Sequence, residues 1–343
     1  MVDCKKSLGF ITFAYGIGAI LVVFGHSYPI GESEVPSFLL DLRSFIYIFH
    51  MPLFFFIAGV LMKYTNDIEN VSCKGQMSFV AKKAGKLLTP YFVLAFIAVM
   101  PKYFVAQYVT RAVSFDITYF IRIFLIPREN VWGHFWFIPV LFAMLCFRNT
   151  LLYSYSKIWV ATLLTAILIT IHFYPINTGW LGIRDVCFYG LYFWLGVIVS
   201  DCVIAQYAQL FSLKKGLMAM FAASMLFIGL FYFMKGTMLI KGILSLLTAL
   251  LMIYAIFVFG TEYQRREYVF LDWLNGKVFT VFLLSWPCQA VIQIWLNKIL
   301  KLNWYYVMPS MFFAGLFGPL FVIYIYEKFH IRSRFLKVVL GIK

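Results

Sequence analysis

The chain has 343 residues, of which 63% are hydrophobic and 13% charged, with a mean hydropathy of +0.87. Soluble domains are roughly half apolar and about a quarter charged, so no water-soluble core absorbs this much apolar surface, and the bilayer is the solvent. A net charge of +15 with a pI of about 9.5 does not point to nucleic acid here, because basic residues of polytopic proteins collect in cytoplasmic loops.

Runs of about 20 apolar residues bounded by charge or turn residues predict an all-α, polytopic transmembrane helix bundle with about ten spans, occupying residues 1–343 as a single domain. The runs cover approximately 8–28, 39–62, 87–108, 134–150, 157–174, 184–200, 214–234, 238–260, 277–297 and 305–326. The first follows the basic pair Lys5 and Lys6 and shows no small-x-small cleavage signal, so it is expected to be retained. Between the third and fourth runs, residues 109–133 carry Arg111, Asp116, Arg122, Arg128 and Glu129 around a short apolar piece, which predicts an interfacial helix. With the N-terminus inside, most of the 29 basic residues fall in cytoplasmic segments, and the first outer loop carries Glu32 and Glu34 without Lys or Arg. Both termini are therefore expected in the cytoplasm. No internal repeat is visible, so the inverted-repeat signature of many transporters is missing. Cys4, Cys73, Cys146, Cys187, Cys202 and Cys288 are scattered without CxxC or metal-ligand spacing, which predicts neither a disulfide framework nor a metal site.

The first run ends GIGAILVVFGHSYP and holds His26; Gly16, Gly18 and Gly25 would let a neighbouring helix or ligand come close. A titratable ring at this depth is costly and usually faces a cavity or a pathway. A neutral imidazole there accepts a proton from a hydroxyl during acyl transfer, although a packed, hydrogen-bonded histidine fits as well. The second run reads FIYIFHMPLFFFIAG, with His50 near its middle. Pro52 removes one donor and frees a carbonyl one turn earlier, which in lipid demands a partner or water. That points to a lined cavity, against a histidine satisfied by the freed carbonyl. Counting at ~1.5 Å per residue puts His26 about 12 Å above mid-membrane and His50 near it, so the rings are expected at different levels of one channel.

Lys82, Lys83 and Lys86 lie in the loop expected before the third span. They form a seat for phosphates or a plain topology signal. The fourth span opens with His134, Phe135 and Trp136; an aromatic belt explains Trp136 without function, and His134 faces either solvent or a site.

Taken together, GIGAILVVFGH (16–26), FHMPLFFFIAG (49–59), KKAGKLLTPY (82–91), HFWFIPVLF (134–142) and FLLSWPCQ (282–289) fall in an order that resembles the membrane acyltransferase-3 family. The likeness is to its branch similar to fucose 4-O-acetylases and polysaccharide O-acetyltransferases. The resemblance implies a roughly ten-helix bundle that moves an acyl group, usually acetyl from cytoplasmic acetyl-CoA, onto a sugar hydroxyl of an exported glycan or its lipid-linked precursor. It implies a bacterial inner membrane, no permanently bound cofactor, and acyl-CoA, glycan and membrane lipid as partners. His26 matches the first-helix histidine regarded as catalytic, His50 the second-helix histidine, and Lys82, Lys83 and Lys86 the basic stretch tied to the CoA end. Arg43, His134, Trp136, Arg184, Asp185 and Ser285 are candidates for binding the acceptor, each with interfacial anchoring or packing as the plainer reading.

Two positions depart from the pattern. Eleven residues before the first histidine, where the family has Arg or Lys, stands Tyr15. It donates one hydrogen bond, a candidate for the thioester oxyanion, but supplies no charge; Lys5, Lys6 or one of Lys82, Lys83 and Lys86 is then expected to substitute. Ser285 stands where many members carry histidine. Tyr15 also supports a second reading, a transporter or glycan-export component that kept the bundle and lost the chemistry. Few intramembrane carboxylates argue against an ion-coupled pump.

Overall fold

In the computed structural model, the described residues are 9–29, 35–66, 72–104, 116–210, 212–230, 237–269, 271–330 and 332–342. Lys5, Lys6, Glu32, Glu34 and Arg111 lie outside them. Every regular element among these residues is helical: α1 (Gly9–Gly25), α2 (Ser37–Tyr64), α3 (Cys73–Phe104), α4 (Ile117–Leu125), α5 (Phe137–Cys146), α6 (Arg148–Ser156), α7 (Ile158–Phe173), α8 (Ile183–Leu210), α9 (Leu213–Ile228), α10 (Met238–Arg265), α11 (Val278–Ile292), α12 (Trp304–Lys328) and α13 (Arg334–Val339). A π-helical stretch extends α11 through Ile299.

Each of the ten expected segments contains a helix, but they are not alike in reach. Six are long and apolar enough to cross a membrane: α2, α3, α8 with the turn before it, α10, α11 with its π extension, and α12. The expected fourth span is broken: α5 and α6 meet at a 53° bend and make a seventh only if taken as one. Among the described residues, the apolar helices α1 and α7 have 17 and 16 residues, and α9 has 16, short of the ~20 that a straight crossing takes at ~1.5 Å per residue.

The expected interfacial piece is α4. Asp116 caps it by accepting from Thr118 N at 3.1 Å. It docks on α3, where Tyr91 Oη donates to Ile123 O at 3.1 Å. The loop expected to hold Lys82, Lys83 and Lys86 is instead helix, since α3 starts at Cys73.

α2 runs through the centre and packs on α1, α8 and α10. Its crossing with α8 has no side chain at the contact: a methyl group on Gly59 would lie 2.0 Å from Phe193 O, and one on Gly196 would lie 2.1 Å from Phe56 O. Ser200 Oγ donates to Val60 O at 2.9 Å across the same seam. Small residues at crossings are how membrane helices approach without a hydrophobic drive, and this glycine pair is the reason FHMPLFFFIAG ends in Gly. Gly18 and Gly25 do the same for α1, where an added methyl would meet Phe54 at 2.9 Å and Tyr47 at 2.5 Å.

Both described ends of the chain gather at one end of the bundle. Phe10 N donates to Gln264 Oε1 at 3.0 Å where α10 finishes, and Gly341 lies against Phe279 of α11.

Candidate active site

Where α1 stops at Gly25, the chain unwinds through His26, Ser27, Tyr28 and Pro29. Backbone carbonyls released by a helix end inside lipid need partners, and α11 supplies them. Gln289 Nε2 donates to Val23 O at 2.8 Å and to Ser27 Oγ at 2.9 Å, and Gln293 Nε2 donates to Tyr28 O at 3.2 Å. His26 is thus held by its backbone, while among the described residues no hydrogen bond engages its imidazole nitrogens. The ring opens into a cavity of about 430 Å³.

His50 and His134 line that cavity as well. His50 Nδ1 donates to Ile46 O at 2.8 Å; a carbonyl only accepts, so the neutral ring keeps Nε2 as an acceptor. The carbonyl that Pro52 releases belongs to Ile48, so His50 is not there to satisfy it. His134 Nε2 donates to Phe282 O at 3.1 Å, leaving Nδ1 buried with no hydrogen-bond partner among the described residues. His26 lies 6.1 Å from His134 and 6.0 Å from Tyr47, and Tyr47 lies 5.0 Å from His50, between ring centroids. The expectation of two levels is corrected: all three rings share one chamber. Tyr47 fixes the register, its hydroxyl donating to Gly25 O at 2.7 Å.

Three cations complete the lining, Arg43, Lys102 and Arg128. Arg43 lies over the rings of Tyr28 and Tyr47 at 4.9 and 5.3 Å. Lys102 Nζ donates to Val131 O at 2.5 Å. Arg128 stands 4.2 Å over Trp136, which is stacked on Tyr189 at 5.1 Å. Asp185, 8% exposed in its side chain, holds Arg128 with contacts from 2.6 to 3.0 Å. Removing the partner of a buried polar group costs about 1–3 kcal/mol, and more where the group left behind is charged. Arg128→Ala is therefore expected to lower thermal stability by that order, and Asp185→Asn in the same chain to restore most of it, as read by unfolding of the purified protein.

A second cavity, of about 520 Å³, lies toward the end where the described termini gather. Thr12 and Tyr15 of α1, Asn66 after α2, and Lys83 and Lys86 of α3 give it polar groups, among apolar walls that include Leu61, Leu141 and Phe279. Tyr15 and two of the three expected lysines therefore meet in one chamber. The buried Arg148 stands behind it, donating to Asn66 Oδ1 at 3.0 Å and lying 4.6 Å over Phe79. Helices α1, α2, α3 and α11 line both this inner cavity and the outer histidine cavity.

Not every expected residue reaches a cavity wall. Lys82 and Arg184 are exposed and line neither. Asp185 acts only through Arg128. Ser285 is buried at 2% exposure and faces away, the neighbouring Trp286 taking the cavity position 5.5 Å from His26. Sequence reading missed Tyr47, Lys102, Arg128, Tyr189 and Trp286. Trp286 was within sight inside SWP, and Arg128 was noted only as an interfacial charge.

These features define a helical membrane protein with two polar chambers stacked along the same helices. The acyltransferase domain model matches residues 9–328, and the chain belongs to the acyltransferase-3 family. No curated protein and no solved structure matches the chain. Membership makes it a membrane acyltransferase.

Proposed function

We propose that the protein transfers an acyl group, acetyl in the first instance, from cytoplasmic acyl-CoA to a sugar hydroxyl of an envelope or exported glycan, or of its lipid-linked precursor. The observation that carries this reading is the pair of stacked cavities, one holding Lys83 and Lys86 and one lined by His26, His50 and His134, cut from the same four helices. The whole chain acts as one acyltransferase domain with ten crossings, placed in the inner membrane with both termini cytoplasmic.

In this reading Lys83 and Lys86 take the phosphates of CoA, and they supply the charge that Tyr15 lacks. The apolar wall of the inner cavity receives the pantetheine arm. Tyr15 stands about 16 Å of helix from His26 at ~1.5 Å per residue, so it orients the donor by hydrogen bonding and takes no part in proton transfer. The sugar enters the outer cavity, where Trp136 offers a face and Arg43, Lys102 and Arg128 offer donors and positive potential. His26 removes the hydroxyl proton as the oxygen attacks the thioester carbonyl. The C–O bond forms, the C–S bond breaks, and the proton passes from His26 to the departing thiolate, giving an ester and free CoA. A short-lived acyl-His26 is the variant in which the histidine itself attacks first.

The test is thiol release and label transfer from acetyl-CoA by purified protein, with extracted envelope glycan as acceptor. Turnover by the wild type is expected, with KM for acetyl-CoA about ten-fold higher in Lys83→Ala/Lys86→Ala, equivalent to about 1.4 kcal/mol, and kcat little changed. An unchanged KM would remove the lysines from the donor site. No turnover with any glycan, alongside transport of one, would favour the export reading.

A further inference from the structure

The two cavities are separated by a wall of aromatic rings, and Phe282 belongs to both linings. Ring follows ring across this wall: Tyr15 to Phe54 at 5.9 Å, Phe54 to Phe137 at 6.0 Å, Phe137 to Phe282 at 5.4 Å and Phe282 to His134 at 5.4 Å. Phe54, Phe137 and Phe282 are each no more than 8% exposed. The wall is also fixed in place. The main chain of Phe282 accepts from His134 at 3.1 Å, and Gln289 ties the same helix to α1 at 2.8 Å.

We infer that Phe282, seated with Phe54 and Phe137, sets the largest acyl group that the protein transfers. The inference rests on the reading that acyl-CoA occupies the inner cavity and the hydroxyl the outer one. At transfer the thioester sulfur belongs to the inner side and the attacking oxygen to the outer side, so the acyl tail must lie in the wall between them. An acetyl tail is one methyl group. Each added methylene needs space that close-packed rings do not provide, and a ring removed at Phe282 provides it next to the reacting carbonyl.

Thiol release and label transfer from acetyl-, butyryl- and octanoyl-CoA by wild type, Phe282→Leu and Phe282→Ala test this. The butyryl-to-acetyl ratio is expected to rise about ten-fold or more in Phe282→Leu, in line with the discrimination that one or two methylenes support, and octanoyl-CoA to become a donor for Phe282→Ala. Variants that keep the wild-type ratio, or lose all donors in equal proportion, overturn the inference and leave acyl transfer itself intact. A readout without turnover uses Met51→Cys on the outer cavity, in protein whose native cysteines are replaced. A methanethiosulfonate reagent applied from the inner-cavity face of sealed vesicles is expected to label it slowly with Phe282 present and much faster with Phe282→Ala. Equal labelling rates overturn the partition even if the wild type releases no thiol, the outcome that would sink the acyl-transfer reading.

Discussion

His26→Ala is expected to lower acyl transfer by about 10²–10⁴-fold, the range of a positioned general base, without lowering thermal stability. The reason lies in how the residue is held. Its backbone neighbours are bonded to Gln289 and Gln293, and its ring nitrogens make no hydrogen bond among the described residues, so truncation breaks no internal bond. His50→Ala is a different case, since it removes a bond to Ile46 O and widens the same chamber. Label transfer to glycan, read beside a melting curve, separates the two. Wild-type transfer by His26→Ala would end its role as base or acyl carrier.

Gly59→Ala is expected to be among the most damaging single methyls in the described residues. The added carbon would lie 2.0 Å from a main-chain oxygen of α8, not from a side chain that can turn aside. The two helices must then separate, which loses the Ser200 bond to Val60 O as well. Overpacking usually costs about 1–3 kcal/mol, and a clash with backbone belongs at or above the top of that range. Gly196→Ala makes the reciprocal clash with Phe56 O at 2.1 Å. Because either methyl already forces the seam open, the double variant is expected to cost less than the sum of the singles. Melting temperature and monodispersity in detergent check this; a Gly59→Ala protein as stable as wild type would mean the crossing is looser than 2.0 Å implies.

The helical bundle was legible from hydropathy because apolar runs of membrane length leave few other structures. The lengths were less so: the bend falls at Phe147, just before Arg148, Asn149 and Thr150 at the end of the expected fourth run, and hydropathy does not register direction. The site was legible where one residue type is out of place in its surroundings, as with His26 and His50. Their relative depth was misread for a geometric reason. Counting set the middle of each apolar run at the same level, yet Tyr47, ten residues into α2, bonds to the last residue of α1. α2 therefore begins about 15 Å beyond the end of α1 at ~1.5 Å per residue, and His50 rises to meet His26. Arg128 and Lys102 carried no such signal, since a cation beside a loop looks the same whether it faces water or a chamber. Ser285 and Trp286 show the limit at its finest: a motif names a helical turn, and only packing decides which of two adjacent residues looks inward.

The stacking of both chambers on the same four helices constrains how this chain can change. On α2, His50 faces one chamber, and Phe54, Ala58 and Leu61 face the other. One residue inserted between them would turn everything beyond it by about 100°, at 3.6 residues per turn, emptying the inner wall while the outer wall stayed whole. Donor and acceptor preferences can therefore drift only by exchange of side chains, never by a change of length within these helices. Insertions and deletions belong to the loops, and the rod between the two ligands is kept to the residue.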